Sequence, residues 1–218
     1  MIKKNVLFIG GSSQIAIALA RKIKDINCFN LSRRKNKFYK KNLILNNYNT
    51  SEIKRKISKI NEKFDTIFLF NGIYKQSTLS FFDEKAFKEI TNINLIIPIR
   101  ITSLIISSGI LNKNASINFI TSWAGIKPEI GNAYYAISKN SLIFASKIFS
   151  KELEKRKIRF NSISLGLIKS RMSSILLSKL PRTRKKFKSN FISLNRVLKI
   201  IIRTINNTNY NGRNFIIN

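Results

Sequence analysis

The sequence contains no histidine. Chemistry that depends on an imidazole is therefore excluded: the Ser-His-Asp triad, the histidine general base and the histidine-ligated zinc site. Cys28 is the single cysteine in 218 residues. It cannot form an intrachain disulfide or a cysteine cage for a metal, and no metal site is expected. Acidic residues are scarce, 10 Asp+Glu against 41 Lys+Arg, which leaves a formal net charge of +31 at pH 7. A long uninterrupted apolar run is also missing. The greasiest stretch, residues 93–111, is broken by Asn94, Pro98 and Arg100, so no membrane span is expected. The first residues lead straight into a strand pattern without the design of a cleavable signal, and a cytoplasmic protein is expected.

What is present in excess has two readings. A charge of +31 is what a polyanion-binding protein would carry. It is also what composition alone can produce. Ile outnumbers Val 39 to 2, Lys outnumbers Arg 28 to 13, and Asn occurs 26 times, all residues with A/T-rich codons. The cations are scattered over residues 33–41, 54–56, 151–159 and 182–188, and aromatics rarely interleave with them as a base-stacking surface requires. No specific nucleic-acid partner is expected.

With 44% apolar residues the chain can build a packed core. Residues 3–9 form a short apolar run ending at Gly10-Gly11-Ser12-Ser13, and a helical pattern follows through Ile15, Ala18, Leu19, Lys22 and Ile23. Further strands are expected at residues 28–31, 43–45, 66–70, 115–121, 158–164 and 214–217. Helices are expected at 51–60, with Thr50 or Ser51 as cap, at 133–155 and at 193–206. Two more helices are expected to meet near Asn94 and Pro98 within residues 83–111. Strands alternating with helices predict one α/β domain over residues 1–218, a Rossmann-type doubly wound parallel sheet of about seven strands with helices on both faces.

Three places carry chemistry. The turn Gly10-Gly11-Ser12-Ser13-Gln14-Ile15 lies at the first strand-to-helix junction, where backbone N–H groups and the helix's positive end can hold a pyrophosphate. The second strand ends in Leu31-Ser32-Arg33-Arg34. An arginine there pairs with the 2′-phosphate of NADP, whereas an acid would take the ribose hydroxyls of NAD, so Ser32 and Arg33 favour NADP(H) over NAD(H). The strongest constellation is Ser122, Tyr135 and Lys139. A four-residue spacing stacks tyrosine and lysine on one helix face. A phenol of pKa about 10 is a sluggish base near neutrality. An ammonium at about 4 Å in an effective dielectric of about 20 contributes roughly 4 kcal/mol, or about three pKa units, toward ionising it. Without histidine, Tyr and Lys are among the few acid/base pairs available.

Taken together the chain resembles the short-chain dehydrogenase/reductase family over essentially its whole length. The first turn is similar to the family's TGxxxGxG pattern, with Gly10 retained. Asn71-Gly72 resembles the end of its NNAG motif. Ile93-Asn94-Leu95 resembles the segment whose Asn completes the catalytic tetrad. Thr121-Ser122 and Tyr135-Ala136-Ile137-Ser138-Lys139 match its Ser and YxxxK motifs at the family's spacing. Arg159-Phe160-Asn161 through Leu165-Gly166-Leu167-Ile168 is similar to its "VN…PG" segment, and Asn211-Gly212 to its final turn.

The resemblance implies an oxidoreductase that interconverts a carbonyl and a hydroxyl by hydride transfer. Tyr135 would carry the proton, Lys139 would lower the tyrosine pKa and bind the nicotinamide ribose, and Ser122 would polarise the carbonyl oxygen. Asn94 would hold a water leading from Lys139 to solvent. Cofactor contacts would come from Gly10, Ser12, Ser13, Gln14, Ile15, Ser32, Arg33, Asn46, Asn71 and Gly72, from Tyr135 and Lys139, and from Gly166, Ile168 and Ser170. The chain departs from the pattern at Ile9, Gln14 and Ala16, which stand for Thr, Gly and Gly, and at Leu165, which stands for Pro. It ends at Asn218, where many relatives continue into residues that help build a tetramer; a homodimer or homotetramer is expected, with helix 133–155 able to pair subunits.

Substrate choice would belong to a lid over residues 171–189. Its Arg182, Arg184, Lys185, Lys186 and Lys188 suit a small or carrier-linked carbonyl or alcohol substrate that is anionic. A 3-oxoacyl-carrier-protein reductase and an enzyme of surface-sugar biosynthesis are the specific alternatives. From a different class, the alternative is a non-catalytic nucleotide- or polyanion-binding protein on the same scaffold.

Overall fold

The computed structural model describes residues 3–127, 129–170, 172–174 and 191–218. Seven strands, β1 (Lys4–Ile9), β2 (Ile26–Ser32), β3 (Lys41–Ile44), β4 (Phe64–Leu69), β5 (Leu111–Ser122), β6 (Arg159–Leu165) and β7 (Asn214–Ile217), form one sheet in the order β3-β2-β1-β4-β5-β6-β7. Every pairing is parallel. The described helices are α1 (Gln14–Lys22), α2 (Thr50–Ile57), α3 (Glu84–Thr91), α4 (Ile97–Ser108), α5 (Ala133–Glu152) and α6 (Leu194–Asn206).

The sheet is buried on both faces, which is why its strands read as continuous apolar runs. Leu7 and Ile9 of β1 join Ile53 of α2, Ile101 of α4 and Leu142 of α5 in one core cluster. Val6 and Phe8, pointing the other way, join Leu19 of α1 and Val197 and Ile201 of α6 in a second. The doubly wound expectation holds, with edges extended by a few residues, as at β5, which begins at Leu111.

Two local expectations are corrected. Helix α2 is capped by Asn49, whose side chain accepts from the Glu52 N–H, not by Thr50 or Ser51. All three residue types cap well, so composition could not choose among them. The two helices expected to meet near Asn94 and Pro98 are one run, Glu84–Ser108, joined by a π-helical turn over Asn92–Ile96. Ile97 N–H reaches back five residues to the Asn92 carbonyl. Pro98 has no N–H, so the donor that an α-helix would present to the Asn94 carbonyl does not exist. The run is long and apolar enough to cross a membrane by length and composition, but its residues Ile97, Pro98, Ile101, Thr102 and Ile105 are buried against the rest of the fold.

Candidate active site

Strand order reverses between β1 and β4, and the carboxyl ends of the central strands come level there. Ile9 pairs with Leu31 and Leu69, and Ser122 pairs with Leu165. Gly10, Ser32 and Gly166, which follow these residues, and Asn71, two residues beyond Leu69, therefore stand together at the place where open parallel sheets bind ligands in a crevice.

The phosphate turn is pressed onto the sheet. Gly10 has φ +71°, and a Cβ there would sit 3.3 Å from the Asn71 nitrogen; a Cβ on Gly11 would meet Asn30 Oδ1 at 2.5 Å. Both positions need glycine because side chains would push the turn off its strand. Ser13 caps α1, its hydroxyl accepting from the Ala16 N–H. Ser12 and Gln14 are exposed and Ile15 half-buried, so the helix start is presented outward. Gln14 makes contacts of its own. Ala16, at the last position of the motif, is fully buried in the core. This cradle fits a dinucleotide pyrophosphate.

The catalytic end is tied together by buried hydrogen bonds. Lys139, 4% exposed, donates from Nζ to the carbonyls of Asn71 and Ile120, each at 3.1 Å. Asn94 is fully buried; its Oδ1 accepts from Ile73 N at 2.8 Å, and its Nδ2 donates to Ile73 O at 3.0 Å and Ser138 Oγ at 3.1 Å. The Asn94 side chain is thus a clamp between the end of β4, α5 and the π-turn. The Ser122 hydroxyl bears on the Tyr135 phenol, acting to lower its pKa. Ser122 is placed by the short 3-10 turn Trp123–Gly125, which lies directly on α5: a Cβ on Gly125 would approach Asn140 N to 2.8 Å and Lys139 C to 2.9 Å.

The Lys139 ammonium is bonded to the two carbonyls and lies 5.9 Å from the Tyr135 ring centroid. Burial pushes the Tyr135 pKa up, and Ser122 only partly opposes it. Burial also brings the Lys139 pKa down, to about 8.

The remaining expected residues fall around the same crevice. Gly166 is closely surrounded, since a Cβ would meet Ile192 Cδ1 at 2.7 Å and Asn218 Oδ1 at 2.8 Å. Ile168 bridges to Ile192, and Ser170 is engaged with the Ser173 hydroxyl. At the other end, the Ser32 hydroxyl donates to the Arg34 carbonyl at 2.9 Å, and Arg33 and Asn46 are exposed. The expected lid over residues 171–189 lies outside the described residues except for 172–174.

Two tyrosines were not anticipated from sequence. Tyr74 packs edge-on to Tyr135, with ring centroids 5.5 Å apart, and donates to Asn132 Oδ1 at 3.0 Å. Tyr48 stands beside Arg33. Neither sits in a spaced motif, and only tertiary structure brings them to the crevice. Among the described residues no group of three or more His, Cys, Asp or Glu side chains is arranged to hold a metal ion.

The family model described as short chain dehydrogenase matches residues 4–180. The chain belongs to the short-chain dehydrogenase/reductase family. Among curated proteins it is similar to the 3-oxoacyl-(acyl-carrier-protein) reductase of Thermotoga maritima, 31% identical over 143 residues that cover 64% of this chain and 58% of that protein. It is also similar to carbonyl reductase family member 4 of Xenopus laevis, 33% identical over 105 residues, or 48% of this chain and 44% of that one. The chain thus matches between 44% and 58% of the length of these two relatives. A short-chain dehydrogenase family structure from Francisella tularensis superposes with a TM-score of 0.86 at 20% identity, covering 99% of this chain and 97% of that one. Actinorhodin polyketide ketoreductase, solved with NADPH, gives a TM-score of 0.86 at 15% identity, with 99% and 95% covered. At such identities these structures support the fold.

Proposed function

We propose that the protein is a cytoplasmic oxidoreductase that interconverts a carbonyl and a hydroxyl group, prefers NADP(H), and acts on a carrier-linked 3-oxoacyl thioester. The observation that carries this reading is the joined set of Ser122, Tyr135, Lys139 and Asn94 at the switch-point crevice. When bound along that crevice, the cofactor supplies or accepts the hydride. The chain handles everything else. In reduction, Ser122 donates a hydrogen bond to the carbonyl oxygen and Tyr135 gives that oxygen its proton. A phenol whose pKa is raised by burial is kept protonated and ready to act as acid. Lys139, fixed by two carbonyls, places its charge below the developing phenolate and stabilises it.

The exposed Arg33 at the end of β2 supports the NADP(H) preference, because its guanidinium suits a 2′-phosphate. The Thermotoga relative and the cations between residues 182 and 188 support an anionic carrier-linked substrate. A homodimer is supported by the solvent face of α5, where Ile137, Phe144 and Ile148 are 56%, 63% and 40% exposed at helical spacing. Size-exclusion with light scattering reads this directly: a monomer overturns the dimer.

The test of function is a fluorescence titration with NADPH and NADH at physiological salt, with heparin as competitor, followed by turnover on a panel of carbonyl compounds led by 3-oxoacyl thioesters. Saturable, heparin-resistant binding that favours NADPH, with turnover, supports the proposal. Binding removed by heparin, with no turnover, moves the protein to the polyanion-binding class.

A further inference from the structure

Arg33 is exposed, yet it is held. Its guanidinium carbon lies 5.7 Å from the centroid of the Tyr48 ring, and its charge bears on the Tyr48 phenol, acting to lower its pKa. Tyr48 in turn is fastened from three directions. Its ring packs on the core cluster that contains Leu45, Ile53 and Ile97. Its carbonyl accepts from Arg100 Nη1 at 3.1 Å. The side chain of Asn71 also bears on its phenol, acting to lower its pKa.

Asn71 connects this platform to the rest of the crevice. It is 7% exposed, and its Oδ1 is buried with no partner in the protein. Its backbone nitrogen abuts Gly10 of the phosphate turn, and its carbonyl receives the Lys139 ammonium at 3.1 Å. One line of contacts therefore runs from the surface cation Arg33 through Tyr48 and Asn71 to both the phosphate turn and Lys139. A long arginine on a surface normally samples many rotamers, and ordering it on binding costs affinity. A fixed aromatic platform removes part of that cost beforehand.

We propose that Tyr48 is the positioning residue for cofactor selection: it holds Arg33 over the adenosine end of the crevice to meet the 2′-phosphate of NADP(H), with Asn71 as its anchor. This rests on the NADP(H) reading given above. Asn71 also offers its unpartnered oxygen to the adenosine portion, whose hydroxyl and amino groups are hydrogen-bond donors.

The test is a titration of the full chain with NADPH and with NADH, in the wild type, Tyr48→Phe, Tyr48→Leu, Arg33→Ala and the Arg33→Ala/Tyr48→Phe double variant. Tyr48→Phe keeps the ring and its core packing and loses only the phenol hydroxyl. It is expected to weaken NADPH about fivefold and to leave NADH within about twofold. Tyr48→Leu removes the platform as well and is expected to weaken NADPH about tenfold, with thermal midpoints confirming that both variants fold. Once Arg33 is gone, Tyr48→Phe is expected to change neither cofactor. The inference is overturned if Tyr48→Phe leaves NADPH binding intact, weakens both cofactors alike, or still penalises NADPH in the absence of Arg33. A purely structural Tyr48 would move both cofactors together. If the wild type shows no NADPH preference, or Arg33→Ala leaves that preference unchanged, the NADP(H) reading itself fails and takes the inference with it.

Discussion

The two ends of the crevice treat positive charge in opposite ways. At the reacting end Lys139 is 4% exposed, and its ammonium is spent on two main-chain carbonyls. At the other end, where the proposed reading puts the adenosine, Arg33 stands exposed beside a tyrosine ring. A buried cation keeps its position whatever the salt, and desolvation moves its pKa toward the working range. An exposed one is available to a phosphate but is screened. On the proposed function, the contrast teaches that burial separates a charge that tunes chemistry from a charge that recognises a ligand.

The sharpest way to break the contrast is to remove the buried charge. Lys139→Met is expected to lower turnover at least about a hundredfold. It also exposes a stability signature. Burial takes the Lys139 pKa from 10.5 to about 8. The unfolded chain then binds more protons at this residue between those two values, so the residue's contribution to stability improves as pH rises through that window. Chemical denaturation of wild type and Lys139→Met from pH 7 to 10 is expected to show the difference moving toward wild type, by up to about 3 kcal/mol. A difference that stays flat with pH means the lysine is not desolvated. For the same reason turnover in the reducing direction is expected to fall above about pH 8, as the ammonium loses its proton.

Next in size is the clamp. Asn94→Ala strips the Ile73 backbone and Ser138 of buried partners and is expected to cost about 2–3 kcal/mol of stability along with activity, as read by denaturant unfolding and kcat. Gly125→Ala forces a methyl against the α5 backbone and is expected to cost about 1–3 kcal/mol while displacing Ser122, so that kcat falls more than NADPH binding does. The smallest effect belongs to the exposed end: raising salt from about 0.1 to about 1 M shortens the Debye length from about 10 to about 3 Å and is expected to weaken NADPH binding about threefold and NADH binding less.

Much of the fold could be read in advance because its signals are local. The run Thr66, Ile67, Phe68, Leu69 is apolar on both faces because helices cover both sides of the sheet, and Gly10-Gly11-Ser12-Ser13 marks a turn wherever it occurs. The spacing of Tyr135 and Lys139 likewise predicts one helix face. What sequence did not reveal depends on partners distant in the chain. The π-turn at Asn92–Ile96 looks the same as two abutting helices, since its 3.6-residue pattern is displaced by only one residue. The bonding of Lys139 to the carbonyls of Asn71 and Ile120 depends on where β4 and β5 end. Tyr48 and Tyr74 reach the crevice from loops without motif, and Gly125 matters only because α5 passes beneath it.

The central claim is that Tyr135 moves the proton in a crevice already shaped by its neighbours. The most direct measurement compares wild type and Tyr135→Phe for NADPH binding and for NADPH-dependent reduction of a 3-oxoacyl thioester. The account predicts that affinity for NADPH stays within about twofold while turnover falls about a hundredfold or more. A phenylalanine variant that turns over like wild type would contradict it.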